Sequence, residues 1–237
     1  MPTLELRLEI EFLSKWHSGS GEGGLSANRL IRRDARGWPF IPASTLKGVI
    51  REQCEKLCRT LAEKYWLPLD PHERDLRRPG AFAPLSQAPS PVETIFGTNY
   101  EEGGLFFRDA YLIAEPYQDH FYQTRTRLHR LLGTAKEQHL FTTEYALPQT
   151  FTTTITGYHR HRTLAAFQEG DLPYAYCLLV AGILSVEFLG SDKSSGSGGV
   201  RLHIPTLNYK GQTREVEEVF EYLDRDYIAD SFPKLSE

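Results

Sequence analysis

Residues 4–12, LELRLEIEF, alternate without a break. Leu4, Leu6, Leu8, Ile10 and Phe12 are apolar, and Glu5, Arg7, Glu9 and Glu11 between them are charged. Successive side chains of a strand point to opposite faces, so this pattern predicts a half-buried strand with one side in a core and the other in water. A helix is predicted over residues 46–67. Leu46, Val49, Ile50, Cys54, Leu57, Cys58 and Leu61 recur there at helical spacing, and Ser44, after Pro42, serves as its N-cap.

Between these elements lie a glycine-rich loop (residues 18–24), a hydrophobic and basic segment (30–33) and a Gly37-Trp38-Pro39 turn. Residues 68–91 carry six prolines and read as an irregular insertion. A strand is predicted over 104–112, and a polar, basic surface loop or helix over 121–139. Residues 141–155, rich in Thr, Phe and Tyr, read as a hairpin arm. A helix starting at 164–169 continues through 174–185. A second glycine-rich loop (190–199, GSDKSSGSGG), a short strand (200–204) and a terminal helix (216–223) follow. Strand, helix, strands, helix, strand is an α+β order, and no internal repeat is visible.

The chain has 237 residues with 24% charged and 40% hydrophobic residues, which excludes disorder and collagen-like repeats. Its longest apolar stretch, 177–184, is too short to span a bilayer, and no signal-peptide pattern opens the sequence. Three scattered cysteines, Cys54, Cys58 and Cys177, point to a reduced, cytoplasmic protein. The net charge of −4 excludes uniform coating of nucleic acid, but the charge is uneven. Residues 28–60 hold eight basic side chains against three acidic ones, a local +5, whereas 214–237 hold three against eight, a local −5. The first segment is either a solvated basic face or a surface for an anionic partner.

Two features carry possible phosphate chemistry. Ser44 and Thr45 stand at a helix N-terminus, whose N–H groups and dipole favour an anion. Lys47 and Arg51, four residues apart, add two cations on one face. Taken alone, this pattern reads rather as an ordinary capped helix with solvated cations. In the loop 190–199, four glycines surround Lys193, so that consecutive N–H groups can form an anion nest, as an alternative to a plain flexible turn. It is not a Walker loop, because no Gly-Lys-Ser/Thr closes it.

In combination these segments resemble the RAMP superfamily of CRISPR-associated proteins, and most of all the backbone subunits of type III effector complexes. Residues 16–21 (WHSGSG) resemble the loop after the opening strand, and 42–51 (PASTLKGVIR) the family's Pro-Ser-Leu-Lys-Gly-Arg helix start. Ile95-Phe96-Gly97 with Phe107-Arg108-Asp109-Ala110 resembles the central Phe-Gly and Asp-Ala signature. Residues 190–199 resemble the C-terminal glycine loop, and Arg125-Thr126, 133–136 and 140–144 the region of the thumb-like hairpin. The likeness spans residues 4–204.

The resemblance implies a single domain over 1–237, with a modified RRM/ferredoxin-like core, a thumb-like β-hairpin and insertions about 68–94 and 120–160. It implies a guide-RNA-binding subunit that stacks with sister subunits and admits complementary target RNA, with no membrane partner. Its RNA-contacting residues would be His17, Arg32, Arg33, Ser44, Thr45, Lys47, Arg51, Arg125, Phe141, Lys193, Ser194, Ser195 and Gly196. Phe141 would either stack on bases or sit in the hairpin's core. Slicing members carry an aspartate in the loop before the helix start and use a divalent metal. The matching position here is Asn28, a poor Mg²⁺ ligand, and Asp34 reads as a turn residue before Gly37. The expectation is therefore a subunit without cleavage activity and without cofactor. The alternatives are a Mg²⁺-dependent target-RNA nuclease acting through Asp34 or a shifted acid, or a metal-free guide-processing nuclease using His17 as base. No cysteine stands near the Phe-Gly motif, and Cys54, Cys58 and His72 lack a fourth ligand, so zinc is not expected.

Overall fold

A computed structural model describes residues 3–21, 23–62, 91–97, 102–113, 120–129, 131–158, 172–221 and 223. Strand β1 (Leu4–Phe12) buries every apolar side chain named above. It lies at the centre of a sheet ordered β2 (Leu105–Phe107), β6 (Thr150–Gly157), β1, β7 (Val200–Tyr209) and β8 (Gln212–Thr213). Strand β3 (Tyr111–Leu112) also pairs with β6, and every pairing is antiparallel. Each buried leucine or isoleucine of β1 contributes roughly 1.5–3 kcal/mol relative to exposure.

Helix α1 (Ala43–Ala62) joins β1 to β2, and helix α3 (Tyr174–Leu184) joins β6 to β7. The short helix α2 (Pro91–Phe96) packs against both of them. With β2 and β3 counted as one core strand, the order is β-α-β-β-α-β. The core strands are then arranged 2-3-1-4, two split β-α-β units interleaved in one antiparallel sheet. The residues of β1 that face the helices share one core with Leu46, Ile50, Cys54 and Cys58 of α1. The other face carries Glu5, Arg7, Glu9 and Glu11 opposite Thr156, Thr154, Thr152 and Arg201.

The remaining hairpin stands apart from this sheet. Strands β4 (His120–Leu128) and β5 (Ala135–Ala146) pair only with each other as strands. Of the surface loop or helix predicted over 121–139, the residues up to Leu128 and from Ala135 are thus strand, and the hairpin arm expected at 141–155 is split. Residues 141–146 end β5, and Thr150–Gly157 is a core strand. The final helix is short, α4 (Glu218–Glu221). The stretch 63–90, the helix start at 164–169 and the tail beyond 223 lie outside the described residues.

Ser44 is not the cap of α1. The helix begins one residue earlier, with the Pro42 carbonyl accepting from Thr45 N at 3.0 Å and Leu46 N at 3.2 Å. The free N–H of Ala43 donates instead to Asp109 Oδ1 at 2.7 Å. Ala110 and Ile41 exchange backbone hydrogen bonds beside it, at 2.9 and 3.0 Å. The Asp-Ala signature therefore clamps the helix start to the sheet edge, and its carboxylate takes one N–H at the positive end of the helix.

Helix α3 is buried on all sides from Tyr174 to Ile183, and it crosses α1 where Gly182 meets Cys54. A Cβ on Gly182 would fall well inside van der Waals distance of Cys54 Sγ. Burial raises the thiol pKa of Cys54 and holds that of Cys58 at about 12, so both stay protonated and inert to alkylation in the folded protein. Gly182→Ala is expected to destabilise the protein by about 1–3 kcal/mol through overpacking, despite alanine's better helix propensity. Urea unfolding measures this, and Cys54→Ala in the same chain should recover part of the stability.

Candidate nucleic-acid interface

The base of the β4–β5 hairpin is where the segments singled out in the sequence converge. Trp16 stacks on Phe12 (ring centroids 4.4 Å apart) and meets Phe151 edge-on at 5.2 Å. Trp16 and Ala146 exchange backbone hydrogen bonds at 3.1 and 2.9 Å, fixing the start of the first loop to the end of β5. Residues 28–29 then run along β5. Asn28 N donates to Thr142 O at 2.9 Å, Asn28 Oδ1 accepts from Thr142 N at 2.8 Å, and Arg29 O accepts from Glu144 N at 3.0 Å.

Glu144 is 2% exposed and organises this junction. Its carboxylate accepts from Arg33 Nη2 at 2.7 Å and from the backbone N of Ile31 at 2.9 Å, and His120 Nε2 lies 3.4 Å away. A buried carboxylate is tolerated only when paired and hydrogen-bonded, and this one has both kinds of partner. Arg33 thus faces inward, and its other nitrogen donates to Gly37 O at 2.7 Å.

His17 is 1% exposed, and its Nδ1–H donates to Glu144 O at 2.7 Å. The glycine loop covers it: Ser191 N donates to His17 O at 3.0 Å, and Gly190, at φ 89°, lies so close that a side chain there would strike the same carbonyl. Burial, opposed by that hydrogen bond, lowers the His17 pKa below its ordinary value. Expected as an RNA contact or a general base, His17 is instead an interior side chain among the described residues.

The glycine loop presents a different residue. Asp192 is left-handed (φ 60°), a conformation uncommon outside glycine and asparagine-like residues, and precedes a 3-10 turn (Lys193–Ser195). Its carboxylate accepts from Tyr145 Oη at 2.6 Å and from Arg29 Nη1 at 3.3 and 3.4 Å. Arg29 Nη2 donates to Ser191 Oγ at 2.6 Å, and Arg125 Nη2 donates to Ser195 Oγ at 3.2 Å. Burial works against ionisation of Asp192, but the Tyr145 hydroxyl and the two guanidinium groups outweigh it and hold its carboxyl below the usual range. Lys15 completes the cluster. Its ammonium lies over the rings of Tyr145 (4.8 Å) and Phe121 (5.7 Å), which stack on each other.

The structure therefore brings Arg125, Lys193, Ser194, Ser195 and Gly196 to one exposed surface together with Arg29, and the half-buried Lys15, hydrogen-bonded to Gln123 Oε1 at 2.5 Å, borders it; sequence reasoning selected neither Arg29 nor Lys15. Phe141 is half exposed and pairs across the hairpin with Arg125, so it is not a core residue. Lys193 lies near enough to lower the pKa of Glu52 on α1, though the Lys56 hydrogen bond is the larger cause, which places the loop beside that helix. Ser44 and Thr45 sit in the first turn of α1, and neither is buried. Arg51 pairs with Glu55 at 2.9 Å and Arg32 reaches Ser20 O at 3.4 Å, while Lys47 has no partner among the described residues. Most of the basic run at 28–60 is thus internally committed: Arg29, Arg33, Arg36, Arg51 and Lys56 all make ion pairs.

The outer sheet face, which RRM domains use to stack bases on aromatic rings, here presents acids and threonines along β1 and β6. Divalent-metal chemistry is poorly served too. Asn28 spends its side-chain oxygen on Thr142, and the Asp34 carboxylate accepts from Arg36 N, Trp38 N and Arg36 Nε at 2.9, 2.9 and 3.2 Å. No cluster of three His, Cys, Asp or Glu suited to a metal exists among the described residues. Asn28 and Asp34, so committed, do not fit a Mg²⁺ site.

A split β-α-β sheet covered by helices on one side, with a hairpin inserted between its second and third core strands, defines a ferredoxin-like domain of the thumb-bearing kind. A family model described as the RAMP superfamily matches residues 9–201, and the chain belongs to that superfamily. No curated protein matches it. Among solved structures, a chain of "Type III-B Cmr-beta bound to cognate target RNA" shares the fold with a TM-score of 0.55 and 14% identity, over 91% of this chain and 98% of that one. A chain of the same assembly in "the Apo state" has a TM-score of 0.55 and 14% identity, over 85% and 97%. Among the described residues no helix is long and apolar enough to cross a membrane.

The buried His17 gives a pH test. The folded protein resists protonation of the ring, whereas the unfolded chain takes up a proton near pH 6.5, so acid favours unfolding. The stability contributed by the neutral ring is fully present above about pH 6.5 and declines as the pH falls below it. Denaturant unfolding from pH 7.5 to 5 should show this decline, and it should be shallower in His17→Asn.

Proposed function

We propose that the chain is a guide-RNA-binding backbone subunit of a type III CRISPR ribonucleoprotein that helps position complementary target RNA and does not itself cut it. The observation that carries this reading is the cationic and aromatic surface where the glycine loop meets the hairpin base: Lys15, Arg29, Arg125 and Lys193 beside Phe121, Tyr145 and Phe141. Membership of the RAMP superfamily supports it, as does a fold shared with chains of Type III-B Cmr-beta, one of them bound to cognate target RNA.

Cations fixed by a rigid hairpin base neutralise backbone phosphates, and the half-exposed Phe141 ring stacks on a base without reading its identity. Sequence is then read by guide–target pairing rather than by the protein. The partners on this reading are guide RNA, target RNA and sister subunits, and no cofactor is required. The reading without cleavage rests on Asn28, whose amide is occupied in holding β5.

Arg29→Ala with Arg125→Ala is expected to weaken binding of a single-stranded guide RNA about tenfold near physiological salt. The slope of log K against log salt should flatten by about 1.4, because each phosphate left unneutralised on a single strand accounts for about 0.7. Unchanged affinity and slope in a salt-titrated anisotropy assay would overturn the reading. Target RNA should stay intact with the assembled complex and Mg²⁺. Cleavage at this subunit that disappears in Asp34→Ala would establish the nuclease instead.

A further inference from the structure

The glycine loop contains one acid, Asp192, and it points at the cations that the RNA-binding reading needs. Its two carboxylate oxygens take Arg29 Nη1 and the Tyr145 hydroxyl, and its backbone oxygen takes Ser195 N at 3.0 Å and Ser195 Oγ at 2.9 Å. Ser195 Oγ in turn receives Arg125. An RNA phosphate approaching this surface would look for the same exposed donors: the guanidinium groups of Arg29 and Arg125 and the serine hydroxyls beside them. The carboxylate has the charge, the trigonal pair of oxygens and the hydrogen-bonding pattern of one edge of a phosphate.

We infer that Asp192 is a built-in competitor, an internal anion that occupies the Arg29–Tyr145 position in the RNA-free protein and is displaced from Arg29 when a phosphate binds. This rests on the RNA-binding reading and adds regulation to it. Two observations support displacement rather than permanent pairing. The Arg29–Asp192 hydrogen bonds are long, 3.3 and 3.4 Å, and Arg29 is 43% exposed, so exchange with a stronger anion needs no core rearrangement. The left-handed backbone at Asp192, between Gly190 at φ 89° and Gly196 at φ 76°, presents the carboxylate to Arg29. Holding the cations in place without RNA also keeps stray anions off the site, so that only a ligand with several phosphates in register competes well.

Asp192→Asn tests this, because asparagine tolerates the left-handed conformation and keeps the side-chain size while removing the charge. The full chain is titrated with single-stranded RNA at several salt concentrations. Asp192→Asn should bind about three- to tenfold tighter. Its salt slope should steepen by about 0.7, because Arg29 now meets the phosphate without giving up an internal counter-charge. The increase in affinity should vanish in Arg29→Ala with Asp192→Asn, which a general removal of negative charge would not produce. Binding that is equal or weaker overturns the competitor role and leaves Asp192 as a strut of the loop, as does an increase that persists without Arg29. Arg29→Ala with Arg125→Ala binding RNA as well as the natural chain would instead bring down the RNA-binding reading on which it rests.

Discussion

The buried carboxylate of Glu144 ties together the parts of this protein that have to be held in register. It lies near the end of β5, where an isolated two-stranded hairpin would be marginal in water. By accepting from Arg33 and from the Ile31 backbone, with His120 alongside, it anchors that hairpin to the segment that runs from the first glycine loop into α1. Next to it, the Glu144 carbonyl receives His17, and His17's own carbonyl receives the second glycine loop. A chain of polar interactions thus runs from hairpin to loop across the edge of the sheet. The exposed cations of the candidate interface are mounted on its two ends.

This arrangement separates two jobs that the basic residues at 28–60 had seemed to share. Arg33, Arg36, Arg51 and Lys56 neutralise neighbouring acids and hold local geometry. The surface left for an anionic partner comes from elsewhere, Lys15 after β1, Arg125 on β4 and Lys193 in the glycine loop, joined by Arg29 and Lys47 from the basic run. Exposed ion pairs contribute little stability, so the paired arginines at the rim remain available for rearrangement, whereas Arg33 on buried Glu144 does not.

Legibility followed burial. Strand β1 could be read directly because one face is wholly buried and the other charged, and α1 because its apolar stripe faces a core. Strand β4 was hidden: its residues from Tyr122 to Leu128 are mostly exposed on both faces, so no period-two pattern forms. Strands β5 and β6 fused into one Thr-rich run because only residues 147–149 separate them, and pairing partners, not composition, tell them apart. The cap of α1 comes from Asp109, 66 positions away, which no local rule finds. His17 looked exposed for a similar reason, since a glycine-rich neighbourhood suggests a surface loop until another glycine loop closes over it. Family resemblance supplied the hairpin and the glycine loop as RNA elements, but the roles of Asp192, Arg29 and Lys15 emerged only from their hydrogen bonds and ring packing in the fold.

The central claim is that RNA lies at the hairpin base and not on the open face of the sheet. Ultraviolet crosslinking of the RNA-bound protein, followed by mass spectrometric assignment of the joined residues, tests this directly. The account predicts adducts at Phe121, Phe141, Lys15 or Lys193 and none along Glu5–Glu11 or at Arg201 and His203. Adducts concentrated on the outer face of β1 and β7, with the hairpin base unmarked, would contradict it.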